Sequence, residues 1–309
     1  MTIKRRQFIG TCVLGATALG LASSIFASMS KQEHLLFDGK TLNGWHTAPR
    51  VYVPSRERRF DSIPPEKLKA AVLEYYSEKP EAEERAKALD HGVWKVEDGA
   101  IIGGQTPNSK RGSYLLTDQK YDDFELSIDA MPDWPADTGI MVRAHELGSV
   151  GFQVLVDHRP GGAIGGIYGN STGNFRAYPY VIDGDEVDNH KVANLRSSAT
   201  DKDFFKPDYA ASAESFLDIW NPNTWNNIKI RCQGKLPLIE VWINGTLISK
   251  LDTSKLAKHV TGYDAEAIFN RLGRTGHIGL EVHDNDSMGY NRWGTGAVCR
   301  WKNINIKKL

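Results

Sequence analysis

Hydrophobic and polar residues alternate along most of the chain after residue 92, and this alternation predicts β-strands. Successive side chains of a strand point to opposite faces, so apolar residues at every second position mark one buried face. The clearest alternating segments are residues 124–130, 139–145, 151–158 and 276–283. Short strands of this kind, joined by hairpin turns such as Asn244-Gly245, predict an all-β antiparallel sandwich, most simply a jelly roll.

Two stretches interrupt the strand pattern. Residues from about 50 to 91 contain Pro64 and Pro65, followed by apolar residues at helical spacing and by a second segment rich in Glu and Ala. This stretch is too short to build its own core, so we interpret it as a helical insertion. Residues from about 169 to 219 lose the periodicity and predict a long loop, of a kind that often binds a ligand. The glycine-rich run 161–169 lacks the strand-to-helix context of a phosphate-binding loop.

The first 27 residues have the pattern of an export signal. Arg5 and Arg6 precede an uncharged stretch from Gly10 to Ala27, as in twin-arginine signals. We interpret residues 1–27 as a cleaved signal peptide and residues 28–309 as one domain that this signal exports, to the periplasm or otherwise out of the cytoplasm. A retained anchor is the alternative. No other stretch is long and apolar enough to span a bilayer, so we expect no stable membrane span after cleavage.

Charge and cysteine content narrow the picture further. Removing the signal takes away three basic residues and no acidic residue, which leaves a mildly acidic domain and gives no indication of nucleic-acid binding. Cys232 and Cys299 then remain in predicted strands. In an exported protein they could form a disulfide, and two separate buried thiols are the alternative. Their spacing matches no zinc motif.

Candidate functional residues lie on the polar faces of three predicted strands. The segment 277–283 alternates Ile278, Leu280 and Val282 with polar residues. The polar faces of this segment and of 139–145 and 151–158 carry His277, Glu281, His283, Arg143, His145, Gln153 and Asp157. If the strands neighbour one another in a curved sheet, these side chains converge on one concave surface. A polar face of an antiparallel strand is also often simply solvated, and the pattern alone leaves that alternative open.

Several motifs, taken in order, resemble the 3-keto-disaccharide hydrolase family. They are Leu36–Trp45, Trp94–Gly99, Tyr121–Leu126, Thr138–Arg143, Trp225–Asn227, Trp242–Gly245, Gly279–His283 and Trp301–Ile304. The resemblance covers nearly all of residues 35–309 and implies a concanavalin-like jelly roll that acts on 3-keto-glycosides. Two positions depart from the family pattern: Gln153 stands where many members have Glu, and Glu281 stands where many have Gln.

The resemblance also implies a mechanism. A 3-keto group acidifies the proton on C2, so the glycosidic bond can break by β-elimination and water can add to the resulting enone. We expect His283 to remove the proton, because the unperturbed pKa of histidine, about 6.5, lies near operating pH. Arg143 would hold the developing enolate oxygen. Glu281 would protonate the leaving oxygen if burial raises its pKa.

Further contacts and cofactors are less constrained by the pattern. The expected substrate contacts are His145, Gln153, Asp157, Tyr168 and His277. No cofactor is required with certainty, and a divalent cation held by His283, Glu281 and Asp157 could replace Arg143 as the electrophile.

Two other functions are alternatives to this reaction. A lectin-like carbohydrate-binding module would use the aromatic and acidic residues of the 169–219 loop without any chemistry, and fold does not settle function. An ordinary glycosidase would need two carboxyl groups at a fixed separation. Glu125 and Asp129 share one strand face, but simple alternation shows no such pair.

Overall fold

The computed structural model describes residues 33–133, 136–157, 161–182, 187–188, 191–192, 195–196, 204–285, 293–294 and 296–309. The predicted signal peptide, residues 1–27, lies outside the described residues. Among the described residues, no helix is both long and apolar enough to cross a membrane.

The strands are numbered in chain order. The first ten are β1 (Glu33–Leu35), β2 (Trp45–Pro49), β3 (Val93–Glu97), β4 (Ala100–Gly104), β5 (Ser113–Thr117), β6 (Phe124–Pro132), β7 (Asp137–Ala144), β8 (Gly151–Asp157), β9 (Ile164–Asn170) and β10 (Arg176–Ala177). They are followed by β11 (Val181–Ile182), β12 (Val187–Asp188), β13 (Lys191–Val192), β14 (Leu195–Arg196), β15 (Tyr209–Ala210), β16 (Asn226–Gln233), β17 (Leu238–Ile243), β18 (Thr246–Asp252), β19 (His277–Val282) and β20 (Val298–Lys308). The helices are α1 (Pro65–Ser77), α2 (Ala82–Lys87), α3 (Ala213–Ile219) and α4 (Ala265–Leu272), with 3₁₀ helices at Arg58–Ser62 and Thr253–Lys258.

Two antiparallel sheets form the body of the protein. The nine-stranded sheet has the order β15-β18-β17-β16-β6-β20-β4-β3, with β1 also pairing with β20, and the seven-stranded sheet has the order β10-β9-β8-β7-β19-β5-β2. Fully buried side chains from both sheets, such as Ile128 and Ile230 facing Val154 and Leu280, form one core. Their period of two along each strand is the alternation seen in the sequence. The predicted jelly-roll β-sandwich is therefore confirmed.

The two cysteines do not form a disulfide. Cys232 in β16 and Cys299 in β20 are both buried and free. Strand β6 lies between these two strands. The strands are thus about 9–10 Å apart, which exceeds the reach of a disulfide. Of the two alternatives that the sequence left open, the structure has the two separate buried thiols and not the disulfide.

The segment from about 169 to 219 is not the structureless loop expected from its composition. Strand β9 continues to Asn170, β10 pairs with β9, β11 pairs with β14, and α3 occupies Ala213–Ile219. These elements are too short to show a period in the sequence. Parts of this segment lie outside the described residues.

The predicted helical insertion is confirmed, and it is docked on the sandwich. Phe60, Leu68 and Val72 form a buried cluster with Leu147 and Val150, which lie between β7 and β8. The cluster fixes the insertion beside the seven-stranded sheet, because apolar side chains from both parts exclude water together.

We predict that Leu68→Ala lowers the free energy of unfolding by about 2–5 kcal/mol, because it removes a fully buried side chain and leaves a cavity. Leu89→Ala is the matched control, since the side chain of Leu89 is 78% exposed and its truncation should change stability by less than about 0.5 kcal/mol. Urea titrations of both variants measure the difference. Equal effects of the two substitutions would show that the insertion is not docked through this cluster.

Candidate active site

Three strand ends meet at one edge of the seven-stranded sheet. Asp137 is the first residue of β7 and pairs with Asp157, the last residue of β8, while His283 directly follows β19. Because neighbouring strands are antiparallel, the start of one strand lies beside the end of the next. All three side chains line a cavity of about 560 Å³. This volume is in the range of ordinary ligand pockets.

The cavity lies on the outward face of this sheet. In β8, Phe152, Val154 and Val156 pack into the core between the sheets, and Gln153 and Asp157 point the opposite way and line the cavity. The alternation along β8 therefore separates core from site. The helical insertion covers this outward face and supplies the other wall through Tyr76, Glu83, Glu84 and Lys87.

A buried carboxylate network supports the cavity from behind. Glu281 is fully buried, and its Oε1 accepts hydrogen bonds from Arg50 Nε at 2.9 Å and from the Tyr114 hydroxyl at 3.2 Å. Its Oε2 accepts a hydrogen bond from Gln153 Nε2. A Cβ atom at Gly139 would lie 2.4 Å from Gln153 Nε2. The glycine therefore leaves the space through which the Gln153 side chain reaches the carboxylate.

The expected rise in the pKa of Glu281 is present. Burial raises this pKa, the Asp137 carboxylate raises it further, and the Arg50 guanidinium opposes both effects. However, both carboxylate oxygens are already hydrogen-bonded, and Glu281 itself does not line the cavity. Its hydrogen-bond partners Arg50 and Gln153 do line it. The structure therefore does not place this carboxyl group directly against a ligand, which corrects the expectation that it protonates the leaving oxygen.

Arg50 connects the network to the loop after β19. Its Nη1 forms an ion pair with Asp284, and its guanidinium lies 4.9 Å from the centroid of the Tyr52 ring. Only 5% of its side chain is exposed, yet it lines the cavity. Arg50 Nε donates to Glu281 and Nη1 donates to Asp284. Among the described residues no acceptor is bound to Nη2, so Nη2 is the nitrogen that can donate a hydrogen bond to a ligand oxygen.

The orientation of His283 is set by its neighbours. Its Nδ1 lies 2.6 Å from the backbone oxygen of Asp284. A carbonyl oxygen can only accept a hydrogen bond, so Nδ1 carries the proton of the neutral ring. The other nitrogen, Nε2, lies 3.7 Å from Asp137 Oδ2. The basic nitrogen of the ring thus lies beside a carboxylate that can stabilise its protonated form.

The structure brings together four of the predicted site residues that line the cavity: Gln153, Asp157, Tyr168 and His283. It does not bring Arg143, His145 or His277 to the cavity, so their predicted convergence with His283 is wrong. Arg143 is six residues from Asp137 along β7, and His277 is six residues from His283 along the β19 segment. Six residues of strand span about 20 Å, so these side chains lie at the opposite end of the sheet.

Arg143, His145 and His277 contact other protein groups at that end of the sheet. Arg143 Nη2 donates hydrogen bonds to Asp123 at 2.9 Å and to the backbone oxygen of Gly234 at 3.3 Å. His145 Nε2 lies 2.8 Å from the backbone oxygen of Pro65, and His277 Nδ1 lies 2.6 Å from that of Thr117. Burial lowers the pKa of both histidines. All three therefore have structural contacts away from the cavity.

The predicted cation ligands do not fit a metal site. Glu281 is fully buried, accepts hydrogen bonds from Arg50, Tyr114 and Gln153, and does not line the cavity that Asp157 and His283 line, so these three side chains do not face one common ion. Within the described part of the chain, no group of three or more His, Cys, Asp or Glu side chains is arranged to hold a metal ion. We therefore derive no step through a cation.

Five residues of the site are not predicted by the sequence pattern. They are Arg50, Tyr114, Asp137, Asn170 and Asp284. Arg50 follows β2 and was included in the insertion, and Asp137 precedes the alternating part of β7. Asp137 could be predicted from its pairing with Asp157 on the neighbouring strand. This pairing is known only when the strand register is known, and the sequence alone does not give the register.

The fold and the site define a jelly-roll protein with a polar, ligand-sized cavity on the outer face of one sheet. A family model for the 3-keto-alpha-glucoside-1,2-lyase-like domain matches residues 32–307. The chain belongs to this family, and the family resemblance seen in the sequence is confirmed.

Solved structures give weaker similarities. A candidate glycosyl hydrolase from Parabacteroides distasonis ATCC 8503 is 16% identical, with 90% of this chain and 94% of that chain covered and a TM-score of 0.45. A β-1,3-1,4-glucanase (lichenase) from a mouse hindgut metagenome is 10% identical, with coverages of 90% and 98% and a TM-score of 0.42. The carbohydrate-binding module CBM66 from Bacillus subtilis is 13% identical, with coverages of 70% and 92% and a TM-score of 0.40. At these values the similarities carry no argument about activity. No curated protein matches the chain.

The two departures from the family pattern are in direct contact. Gln153 donates its hydrogen bond to Glu281, so the pair contains one amide and one carboxylate. A member with Glu at the first position and Gln at the second has the same two groups in exchanged positions. The Gln153–Glu281 pair therefore supplies one carboxylate to Arg50, beside the second carboxylate that Asp284 supplies.

We predict that Glu281→Gln lowers the free energy of unfolding by about 3–5 kcal/mol, because it removes a carboxylate that pairs with a buried guanidinium. The double variant Gln153→Glu/Glu281→Gln should recover at least half of this loss, because it returns one carboxylate to the pair. Urea titrations of the wild type, both single variants and the double variant measure the recovery. Additive effects of the two substitutions would contradict the exchange.

Proposed function

We propose that this protein cleaves 3-keto-glycosides by removing the proton on C2, eliminating the group on C1 and adding water to the product. The observation that carries the proposal is that His283 and the buried guanidinium of Arg50 line the same cavity, with Asp137 Oδ2 3.7 Å from His283 Nε2. Membership of the 3-keto-alpha-glucoside-1,2-lyase-like family supports the same reaction class.

The first step requires a base and a stabiliser of negative charge. His283 Nε2 takes the C2 proton, and the Asp137 carboxylate stabilises the imidazolium that forms. The electrons of the C2–H bond become the enolate of the 3-keto group. Arg50 Nη2 donates a hydrogen bond to the enolate oxygen, because a preorganised positive charge is most effective where negative charge develops. Arg50 thus takes the role expected of Arg143 from the sequence.

The second step breaks the glycosidic bond. The enolate re-forms the ketone, a C1–C2 double bond forms, and the C1–oxygen bond breaks. The imidazolium of His283 returns its proton to the leaving oxygen, so the base is regenerated. Water then adds its oxygen to C1 and a proton to C2, and the net reaction is hydrolysis. Glu281 and Gln153 act as positioning residues, because they hold Arg50 and the cavity wall in place.

A two-carboxylate glycosidase is the second candidate, and one observation favours it. Asp137 and Asp157 face each other on paired strands, and cross-strand neighbours have Cβ atoms about 4.5–5.5 Å apart. Retaining glycosidases use carboxyl groups about 5–5.5 Å apart. However, Asp137 lies 3.7 Å from His283 Nε2, a pairing that the 3-keto reaction uses and that the two-carboxylate mechanism does not need. The 3-keto reaction therefore fits the geometry better.

The proposal is tested with 3-keto-trehalose, methyl 3-keto-α-glucoside and their unoxidised parents. We expect turnover of the keto sugars alone. Cleavage of the unoxidised sugars would favour the two-carboxylate mechanism. Binding of keto sugars without turnover would favour a lectin-like module.

We predict that His283→Ala lowers kcat on methyl 3-keto-α-glucoside by at least about a hundredfold, because general-base catalysis contributes factors of this size. His91→Ala is the matched control, since His91 is exposed and does not line the cavity. Initial rates of both variants at saturating substrate measure kcat. Retention of wild-type kcat by His283→Ala would exclude His283 as the base.

A further inference from the structure

The addition of water to the enone needs two proton transfers at neighbouring carbons. The water loses a proton as its oxygen bonds to C1, and C2 gains a proton. His283 serves C2, where it removes the proton in the first step. A second proton acceptor beside C1 would allow both transfers to proceed together.

Asp157 is a carboxylate of the cavity that takes no part in proton removal or in bond cleavage. Its side chain is buried and lines the cavity from the side of the seven-stranded sheet. The other carboxylates among the described cavity residues lie beside basic groups: Glu83 beside Arg111, Glu84 beside Lys87, Asp284 beside Arg50, and Asp137 beside His283. Asp157 is therefore the strongest candidate for the second acceptor.

The local backbone holds Asp157 in place. Asp157 is the last residue of β8, and its backbone nitrogen donates a hydrogen bond of 3.0 Å to the backbone oxygen of Ala163. A Cβ atom at Gly162 would lie 2.5 Å from Asp157 Cγ, so the glycine allows the chain to pack directly against the carboxyl group. A group fixed in this way needs little reorganisation when the reaction takes place.

The reacting groups follow one another across the sheet. Arg50 is bound to Glu281 of β19 and to Asp284, which follows β19. Asp137 begins β7, the neighbour of β19, and Asp157 ends β8, the neighbour of β7. Two strand spacings, about 9–10 Å, therefore separate β19 from β8, which leaves room for a ring carbon and a water molecule.

This order defines which carbon faces Asp157. The proposed reaction places the keto oxygen on C3 at Arg50 and the C2 proton at His283 beside Asp137. C1 is bonded to C2 on the side away from C3. Because Asp157 lies on the side of Asp137 away from β19, C1 is the ring carbon that faces Asp157.

From this arrangement we propose that Asp157 is the general base of the hydration step and accepts a proton from the water that attacks C1. This inference rests on the proposed function. As the water oxygen bonds to C1, the electrons of the C1–C2 double bond move into the 3-keto group and form the enolate that Arg50 holds. The proton passes from Asp157 through Asp137 to His283 Nε2, and His283 gives it to C2 as the ketone re-forms. One water is added, and all three side chains return to their starting protonation states.

The test measures elimination and hydration separately in Asp157→Asn, whose amide has the shape of the carboxylate but does not act as a base. With methyl 3-keto-α-glucoside, released methanol reports elimination, and NMR resolves the enone from the hydrated 3-keto sugar. We expect methanol release within about threefold of the wild type, and hydration above the rate in buffer to fall by at least about a hundredfold, so that the enone accumulates. Asp98→Asn is the matched control, since Asp98 is exposed and does not line the cavity, and it should form the wild-type product.

Azide separates the loss of a base from a loss of shape. The azide anion has no proton to lose, so it can add to C1 without Asp157, while C2 takes a proton from solvent through His283. We expect Asp157→Ala to convert the enone with azide into a 3-keto-glucosyl azide at least about tenfold faster than the wild type does, because this addition does not need the removed base.

The outcomes distinguish the role of Asp157 from the reaction itself. Wild-type hydration by Asp157→Asn, equal loss of elimination and hydration, or no azide product with Asp157→Ala would overturn the role of Asp157 and leave elimination by the wild type intact. Release of the enone alone by the wild type would overturn this role as well, because no hydration step would exist. Inactivity of the wild type on every keto sugar would overturn the proposed function and this inference with it.

Discussion

The buried ion pair between Arg50 and Glu281 is the contact on which the rest of the site depends. The two residues are 231 positions apart in the chain, and each is almost completely removed from water. Charges buried in this way are costly unless each is paired and hydrogen-bonded. Here Tyr114, Gln153 and Asp284 complete the set of partners. The network can therefore hold a guanidinium at the cavity wall in one orientation.

The sandwich makes this network possible through the direction of its strands. Antiparallel pairing places the start of β7 beside the end of β8 and the end of β19, so that Asp137, Asp157 and His283 meet at one edge. The inward faces of the same strands are used for the core, and the outward faces are left for polar groups. The docked insertion then closes the cavity from outside. Fold stability and site geometry thus depend on opposite faces of the same strands.

The sequence predicts which face of a regular strand each side chain occupies, because this depends only on neighbouring residues in the chain. Alternation along β8 assigns Gln153 and Asp157 to one face and Val154 to the other, because the period of a strand needs no knowledge of its neighbours. It does not predict which end of a strand carries the site. Arg143 and His277 lie about 20 Å from the cavity, since their position depends on strand direction and register. Arg143 has a positive φ and its side chain points to Asp123 and Gly234 of the nine-stranded sheet, so the face predicted for it is wrong as well.

The position of Arg50 is even harder to predict from the sequence. It follows a short strand and has no periodic pattern around it, and its partners are distant in the chain. Only the pairing of β2 with β5 and of β5 with β19 brings it beside Glu281. A role for this residue therefore becomes visible only in three dimensions.

The most direct test of the account is hydrogen exchange at C2 of a 3-keto sugar that has no leaving group, such as 3-keto-1,5-anhydroglucitol, in deuterated water. This analogue isolates proton removal from bond cleavage and hydration. We expect protein-catalysed exchange at C2 but not at C4, followed by NMR, and loss of this exchange in His283→Ala. Exchange no faster than in buffer, or equal exchange in the variant, would contradict the assignment of His283 as the base.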